Sequence, residues 1–120
     1  MEELRLTEAE NKLAEIIWTN ELVSSSDLVK LCRTEIGWKK STTYTMLKKL
    51  EKKGVFENRK GTVSAVLTRE EFYTEQSKQI LDGGFGGSLP RFLAAFANSK
   101  KLSGKEIDEL QKLIDSHKEE

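Results

Sequence analysis

The sequence contains very little of the chemistry that most catalytic and metal-binding sites require. Its 120 residues include one cysteine, one histidine and one proline. A single cysteine, Cys32, excludes an internal disulfide and any multi-cysteine zinc or copper site. Its neighbours follow a helical pattern, which favours a small buried apolar side chain over a redox sensor. His117 lies among charged residues, so we expect it to be exposed to solvent rather than bound to a metal.

Long apolar runs and net charge are also absent. No stretch approaches the roughly 18 apolar residues of a membrane-spanning helix, and we expect no signal peptide before the first predicted helix. We therefore expect a soluble, cytoplasmic protein without membrane insertion. The 20 basic residues balance the 20 acidic ones, but a neutral total does not exclude a nucleic-acid partner, because local charge decides that question. This length supports one domain, or two small ones that share surface.

Positive charge is concentrated between residues 39 and 60. This segment holds eight lysines and arginines against two glutamates, Glu51 and Glu57. The basic residues are Lys39, Lys40, Lys48, Lys49, Lys52, Lys53, Arg59 and Lys60. Between them lies the hydroxyl-rich run Ser-Thr-Thr-Tyr-Thr at residues 41–45. A basic, hydroxyl-rich helix followed by a basic hairpin tip is an arrangement that can enter a DNA groove.

Residues 1–67 predict three helices and a hairpin. The helices run from a Thr7–Glu10 capping box to about Asn20, from Ser24–Asp27 to Gly37, and from about Lys40 to Lys53, where Gly54 ends the third. Thr43, Leu47 and Leu50 are predicted to face inward on the third helix. Two short alternating runs, 55–58 and 62–67, predict strands joined by a turn at Lys60 and Gly61. This element order is typical of a winged helix-turn-helix domain.

Residues 68–120 predict three short amphipathic helices, which begin at caps on Thr68, Ser88 and Ser103. The glycine-rich run 83–87 breaks the first of them, either as a plain loop or as a hinge. Such helices make a poor core alone, so we expect a helical dimerisation domain that packs against a second copy. The expected dimer contacts are Phe72, Ile80, Leu81, Leu89, Phe92, Leu93, Phe96, Ile107, Leu110, Leu113 and Ile114. The predicted fold is thus mainly α with a small β-hairpin wing.

Several motifs, in their order and spacing, resemble the penicillinase repressor family (BlaI/MecI/CopY type) along nearly the whole chain. They are Leu6-Thr7-x-Ala9-Glu10 with Ile17-Trp18, Gly37-Trp38, Leu47-x-x-Leu50-x-Lys52-Lys53-Gly54-Val55, Phe85-Gly-Gly-Ser-Leu89, Ala95-Phe96 and Leu102-Ser103-x-x-Glu106-Ile107-x-Glu109-Leu110. The resemblance implies a homodimeric winged-helix repressor on a palindromic operator. It also implies a membrane sensor-protease that detects β-lactam and cleaves the repressor in its dimerisation part.

The sequence departs from that family at four places. Lys39-Lys40 replaces a usual Ser-Pro, so we expect the cap of the third helix to shift to Ser41. The connection after the hairpin is shorter, and Ser64 and Val66 replace aromatic residues. The scissile Asn-Phe pair of the β-lactam-responsive members aligns with Ala95-Phe96, so that bond is a candidate cleavage site by alignment alone. Alanine replaces the scissile asparagine, which argues against signal-driven cleavage. The cysteine cluster of copper-responsive members is absent, which argues against direct copper sensing.

Helical spacing divides the candidate DNA contacts into two sets. The expected base contacts are Ser41, Thr42, Tyr44, Thr45 and Lys48, of which Thr42 and Thr45 match family threonines at the DNA. The expected phosphate contacts are Lys39, Lys40, Lys49, Arg59 and Lys60. Lys52 and Lys53 lie on the last turn, where they could serve only to complement the helix dipole. No cofactor and no metal are expected.

Three other interpretations of the sequence compete with this one. A winged-helix module can bind protein or RNA, and a basic helix can be a solvated surface without base recognition. An enzyme needs converging titratable groups, and the acidic residues here are spread over helix starts and solvent-facing positions. The glycines at 83–87 do not follow a strand, so they do not form a dinucleotide site. Repression relieved by proteolysis or another signal is the preferred function, and the inducer is left open.

Overall fold

The computed structural model describes residues 4–118. Its helices are α1 (Glu8–Asn20), α2 (Ser25–Ile36), α3 (Lys40–Lys52), α4 (Arg69–Gly84), α5 (Leu89–Ser99) and α6 (Gly104–Lys118), and its strands are β1 (Val23–Ser24), β2 (Phe56–Arg59) and β3 (Thr62–Ala65). This mainly helical architecture with a small antiparallel sheet confirms the predicted fold class. The chain divides into two compact units, Met1–Ile80 and Leu81–Glu120. The proposed functional division between residues 67 and 68 stays a prediction.

Local capping signals explain where the first two helices begin. The Thr7 hydroxyl accepts a hydrogen bond from the Glu10 amide at 3.1 Å, and Glu10 Oε1 accepts one from the Thr7 amide at 2.8 Å. This is the predicted capping box. Ser24 caps α2 by accepting from the Asp27 amide at 3.0 Å.

The predicted cap of α3 at Ser41 is wrong. The helix begins at Lys40, as predicted, but its N-cap is Lys39, two residues before Ser41, and Lys39 makes no side-chain capping hydrogen bond. A lysine side chain carries donors and no acceptor, so it cannot satisfy a free amide of the first turn. The structure therefore places Ser41 inside the first turn, where its hydroxyl is exposed.

Two glycines end α2 and α3 as predicted. Gly37 and Gly54 have φ angles of 68° and 78°, in the left-handed region that glycine adopts without strain. After α3 the Gly54 amide donates to the Glu51 carbonyl at 3.0 Å and the Val55 amide to the Leu50 carbonyl at 3.2 Å. This is a Schellman motif, and the buried side chains of Val55 and Leu50 accompany it.

The sheet has the strand order β1-β3-β2, with both pairings antiparallel. Val63 at its centre lies opposite Val23 on β1 and Asn58 on β2. The hairpin turn consists of Lys60 and Gly61, with φ angles of 51° and 86°, as a type I′ turn requires. The hairpin was predicted from the sequence, whereas the two-residue strand β1 was not.

The core lies in the first unit. It consists of Leu13, Ala14, Ile16, Ile17, Val23, Leu28, Cys32, Leu47, Leu50, Val55, Phe56, Val63 and Phe72. Cys32 is completely buried, as predicted, and burial raises the pKa of its thiol. Trp18 packs at the edge of this core, with its ring centroid 5.2 Å from that of Phe56. Its indole N–H donates to the Leu67 carbonyl at 3.0 Å.

The second unit shows a different pattern of burial. None of its described residues, 81–118, is fully buried. Ser88 and Ser103 cap α5 and α6 as predicted, by accepting from the amides of Arg91 and Glu106. The predicted helix break is shorter than expected, because α4 continues through Gly84 and only Gly86 and Gly87 take positive φ angles. Between residues 4 and 118, none of the helices is long and apolar enough to cross a membrane.

Candidate nucleic-acid interface

One side of α3 faces solvent and carries hydroxyl and ammonium groups. Ser41, Thr42, Thr45 and Lys48 are all exposed, and a period of 3.6 residues places them on one side of the helix. Thr43, Leu47 and Leu50 are buried on the opposite side, as predicted. Tyr44 lies at the margin, half-buried and packed against the core. The structure thus brings together four of the five predicted base contacts, and it directs the fifth partly inward.

Several lysines of the segment 39–60 are available for an external anion. Lys39, Lys40, Lys48, Lys49 and Lys60 are exposed, and within residues 4–118 none of them forms an ion pair. Arg59 is 82% exposed, but its Nε lies 3.4 Å from Glu57 Oε1. Five lysines therefore present uncompensated charge, while the charge of Arg59 is partly offset by its neighbour.

The hairpin tip that carries Arg59 and Lys60 is held from two sides. Asn58 Oδ1 accepts a hydrogen bond from the Gly61 amide at 3.1 Å. The Gly61 carbonyl accepts one from the Ser25 amide, at the start of α2, at 2.8 Å. These bonds fix the wing tip relative to the start of α2, so its cations have a defined position within the first unit.

Lys52 and Lys53 differ although they are adjacent. Lys52 is exposed, whereas the Lys53 ammonium donates to Glu10 Oε1 and to the Arg5 carbonyl, each at 2.7 Å. Sequence reasoning assigned both residues to the helix dipole and missed this pairing. Both Glu10 and Lys53 belong to the family motifs, but only the tertiary structure shows that they meet.

The apolar residues predicted for dimerisation fall into three classes. Ile80, Leu89, Phe96, Ile107, Leu113 and Ile114 are between 41% and 59% exposed, and Leu81, Phe92, Leu93 and Leu110 are half-buried. Phe72 is the exception, since it is 1% exposed in the core of the first unit, 5.5 Å from the ring centroid of Trp18. We correct the prediction by leaving Phe72 out of the candidate dimer surface.

Ala95 and Phe96, the candidate cleavage pair, both lie inside α5 and are exposed. A protease binds its substrate as an extended strand, so cleavage there would require this helix to unwind locally. In the part of the chain that the structure describes, no three His, Cys, Asp or Glu side chains form a group able to hold a metal ion.

Comparison with known proteins agrees with the observed fold class. The family model described as "Penicillinase repressor" matches residues 6–116. The chain belongs to the penicillinase repressor family. Members of this family are regulatory repressors of transcription rather than enzymes.

Individual relatives are distant in sequence, but the alignments below each cover more than nine tenths of this chain. A penicillinase repressor of Bacillus licheniformis is 26% identical over 118 residues, which cover 95% of this chain and 92% of the relative. The methicillin resistance regulatory protein MecI of Mammaliicoccus sciuri is 21% identical over 113 residues, covering 91% and 92%. An uncharacterised 16.5 kDa protein of Latilactobacillus sakei is 27% identical over 113 residues, covering 91% and 77%.

Proposed function

We propose that this protein is a DNA-binding transcriptional repressor that occupies a palindromic operator as a homodimer in the cytoplasm. The observation that carries the proposal is the exposed face of hydroxyls and lysines on α3, together with the basic wing tip that is anchored to α2. Membership of the penicillinase repressor family supports it. No catalytic residue and no cofactor enter this function.

The geometry suits major-groove recognition by α3. Ser41, Thr42 and Thr45 expose hydroxyls that can donate to or accept from base edges, and a threonine methyl can pack against a thymine methyl. Lys39, Lys40 and Lys49 flank these hydroxyls, and Arg59 and Lys60 extend the positive surface to the wing. Phosphate contacts from such cations set register and affinity, whereas the hydroxyls distinguish sequences.

The apolar surface of the second unit supports the proposed homodimer. An α5–α6 groove is lined by six apolar residues and by two glutamates, Glu106 and Glu109. The apolar residues are Phe92, Leu93, Phe96, Leu102, Leu110 and Leu113. Exposed apolar area of this kind favours association, because its removal from water is favourable. A two-fold symmetric pair presents two copies of α3 to two half-sites.

Relief of repression then requires loss of the dimer on DNA. We propose that proteolysis by a membrane sensor-protease, or another signal acting on the second unit, supplies it. The Ala95–Phe96 bond is the candidate cleavage point. Incubation with the sensor-protease, followed by mass spectrometry, tests this: an intact chain would exclude cleavage and leave another signal.

A binding titration with two variants tests the recognition model. A palindromic duplex is first selected from a random DNA library by its binding to the wild-type protein. Fluorescence anisotropy is then measured on this duplex, on a random duplex of equal length and on single-stranded RNA. We expect Thr45→Ala to lower the operator-to-random affinity ratio about fivefold, or ~1 kcal/mol, because it removes a base contact. Lys60→Ala should weaken both duplexes by the same factor, because phosphate contacts carry no sequence information.

Two results would contradict the proposal. If both variants lost affinity equally on the two duplexes, the division between base and phosphate contacts would be wrong. If the wild-type protein bound RNA as well as it bound the palindrome, or did not distinguish the palindrome from random DNA, an operator-binding function would be rejected.

A further inference from the structure

Lys53 is the basic residue of the segment 39–60 whose charge is most fully engaged inside the protein. Its ammonium lies 2.7 Å from Glu10 Oε1 and 2.7 Å from the Arg5 carbonyl oxygen. The side chain of Lys53 is 28% exposed and that of Glu10 is 3% exposed. A charge-assisted hydrogen bond of this length, in a largely buried position, competes with an external phosphate for the Lys53 ammonium.

Glu10 has two roles at the start of α1. Its Oε1 also accepts from the Thr7 amide at 2.8 Å, so one oxygen serves both the capping box and the ion pair. Burial raises the pKa of the Glu10 carboxyl, but the hydrogen bonds from Lys53 and Thr7 outweigh it and leave that pKa below its usual value. A buried carboxylate needs such a partner, and removal of either member leaves the other uncompensated.

The pair lies where three parts of the first unit meet. Lys53 is the C-cap of α3, directly before the glycine that ends the helix. Its two acceptors belong to the first turn of α1 and to the segment that precedes it. Within that segment the Leu4 amide donates to Gln79 Oε1 at 2.7 Å, and the Leu4 carbonyl accepts from Gln76 Nε2 at 3.0 Å. Residues 4–7 are therefore bonded to α3 on one side and to α4 on the other.

We propose that Lys53 is a positioning residue, which together with Glu10 holds the C-terminal end of α3 against α1 and residues 4–7 and so sets the angle of the recognition face. This inference rests on the proposed function, since the recognition face has a role only if the protein reads DNA. It assigns different roles to two neighbouring lysines. Lys52 adds positive charge to the protein surface, whereas Lys53 orients α3 through its contacts within the first unit.

Paired charge changes separate positioning from phosphate contact. Lys53→Met removes a positive charge, and Glu10→Gln removes a negative charge while keeping an oxygen for the Thr7 amide. If either residue acted through its electrostatic field on DNA, the two variants would change affinity in opposite directions. If the pair acts by positioning α3, both variants lose sequence discrimination. Lys52→Met is the matched control, because it removes the same charge one residue away.

The experiment measures affinity for operator and random duplexes across a salt series with the four full-length proteins. We expect Lys53→Met and Glu10→Gln each to lower the operator-to-random ratio about tenfold without changing the salt slope. Lys52→Met should leave the ratio within about twofold. The inference is overturned if Lys53→Met weakens both duplexes alike and makes the slope shallower by about 1.8, as loss of one phosphate contact per subunit of a dimer predicts.

A second measurement, made on the free protein, tests the role of the pair independently of DNA binding and detects variants that fail to fold. Amide hydrogen exchange of residues 49–55 in the free protein should become faster in Lys53→Met and Glu10→Gln but not in Lys52→Met. Equal exchange in all variants would show that the pair does not hold the helix end. A wild-type protein that binds no duplex selectively would reject the proposed function, and the exchange data would still decide whether Lys53 fixes α3.

Discussion

At the scale of single residues, the candidate site depends on which charges have partners. The sequence predicts that residues 39–60 are basic and that helical spacing exposes Ser41, Thr42, Tyr44, Thr45 and Lys48, since both follow from composition and a 3.6-residue period. The structure exposes all of these except Tyr44, which is half-buried. The ion-pair partner of each charged side chain cannot be predicted from composition and helical period. The contact between Lys53 and Glu10 joins residues 43 positions apart, and no local pattern encodes such a distance.

The wing arginine provides the first prediction at this scale. Glu57 lies 3.4 Å from Arg59 Nε, and both side chains face solvent, so their attraction is weak, in the range of roughly 0.2–1 kcal/mol. Glu57→Gln should free Arg59 for phosphate and strengthen binding to operator and random duplex alike, by about two- to threefold at low salt. The gain should shrink as salt rises, because exposed charges are screened.

A matched control distinguishes this local effect from the loss of one negative charge anywhere. Glu70→Gln changes an exposed carboxylate at the start of α4 that has no ion pair within residues 4–118. Anisotropy titrations of both variants should show the larger gain in Glu57→Gln. Equal gains would mean that Glu57 does not restrain Arg59.

At the scale of helices and strands, the sequence predicts the features that depend on residues close together in the chain. The capping pair Thr7 and Glu10 and the helix-ending glycines Gly37 and Gly54 act over three or four positions, so the sequence alone identified them. β1 could not be identified, because two residues carry no periodicity and the strand exists only through pairing with β3, about forty residues later. The start of α3 near Lys40 was predicted, but its N-cap was not, since Lys39 has no side-chain capping group.

The glycine that ends α3 gives a prediction about stability. Gly54 has a φ of 78°, and no heavy atom lies within 4 Å of the place where an alanine Cβ would stand, so Gly54→Ala should add backbone strain without a steric clash. The expected loss is about 1–2 kcal/mol in the free energy of unfolding, measured by urea titration with the fluorescence of Trp18 and Trp38. Discrimination between operator and random DNA should fall in parallel, because the Schellman motif and Lys53 hold the same end of α3.

Gly83→Ala is the counterpart on α4. Gly83 lies inside a helix, has no positive φ and has open space around it, so alanine there should stabilise the helix by roughly 0.5–1 kcal/mol. If Gly54→Ala were as stable as Gly83→Ala, the left-handed conformation would not be required at residue 54.

At the scale of the whole molecule, the two units differ in what they bury. The first contains all of the fully buried apolar side chains, including Phe72, whereas residues 81–118 contain none. Amphipathic periodicity indicated apolar faces on the helices of the second half, but it could not assign a partner to each face. Phe72 shows this limit, because its helix pattern is that of a dimer contact while its actual neighbours are Trp18 and the core of its own unit.

The dimer proposal makes a quantitative prediction about salt. If each subunit neutralises about four phosphates, a dimer neutralises about eight, and the logarithm of affinity should fall with the logarithm of salt concentration with a slope near −7. Leu113→Asp places a charge on a side chain that is 57% exposed on the apolar face of α6. Because a buried unpaired carboxylate is costly, this variant should sediment as a monomer, and its slope should be about half.

Val66→Asp is the matched control for that variant, since Val66 is 52% exposed in the first unit and lies outside the candidate dimer surface. It should sediment as a dimer and keep a steep slope, because charge on an exposed site outside the interface has little effect on association. Sedimentation velocity and the salt titration must therefore change together in Leu113→Asp, and neither should change in Val66→Asp. A wild-type slope shallower than about −3 would show that too few phosphates are neutralised for two copies of α3 and its wing to bind DNA at once.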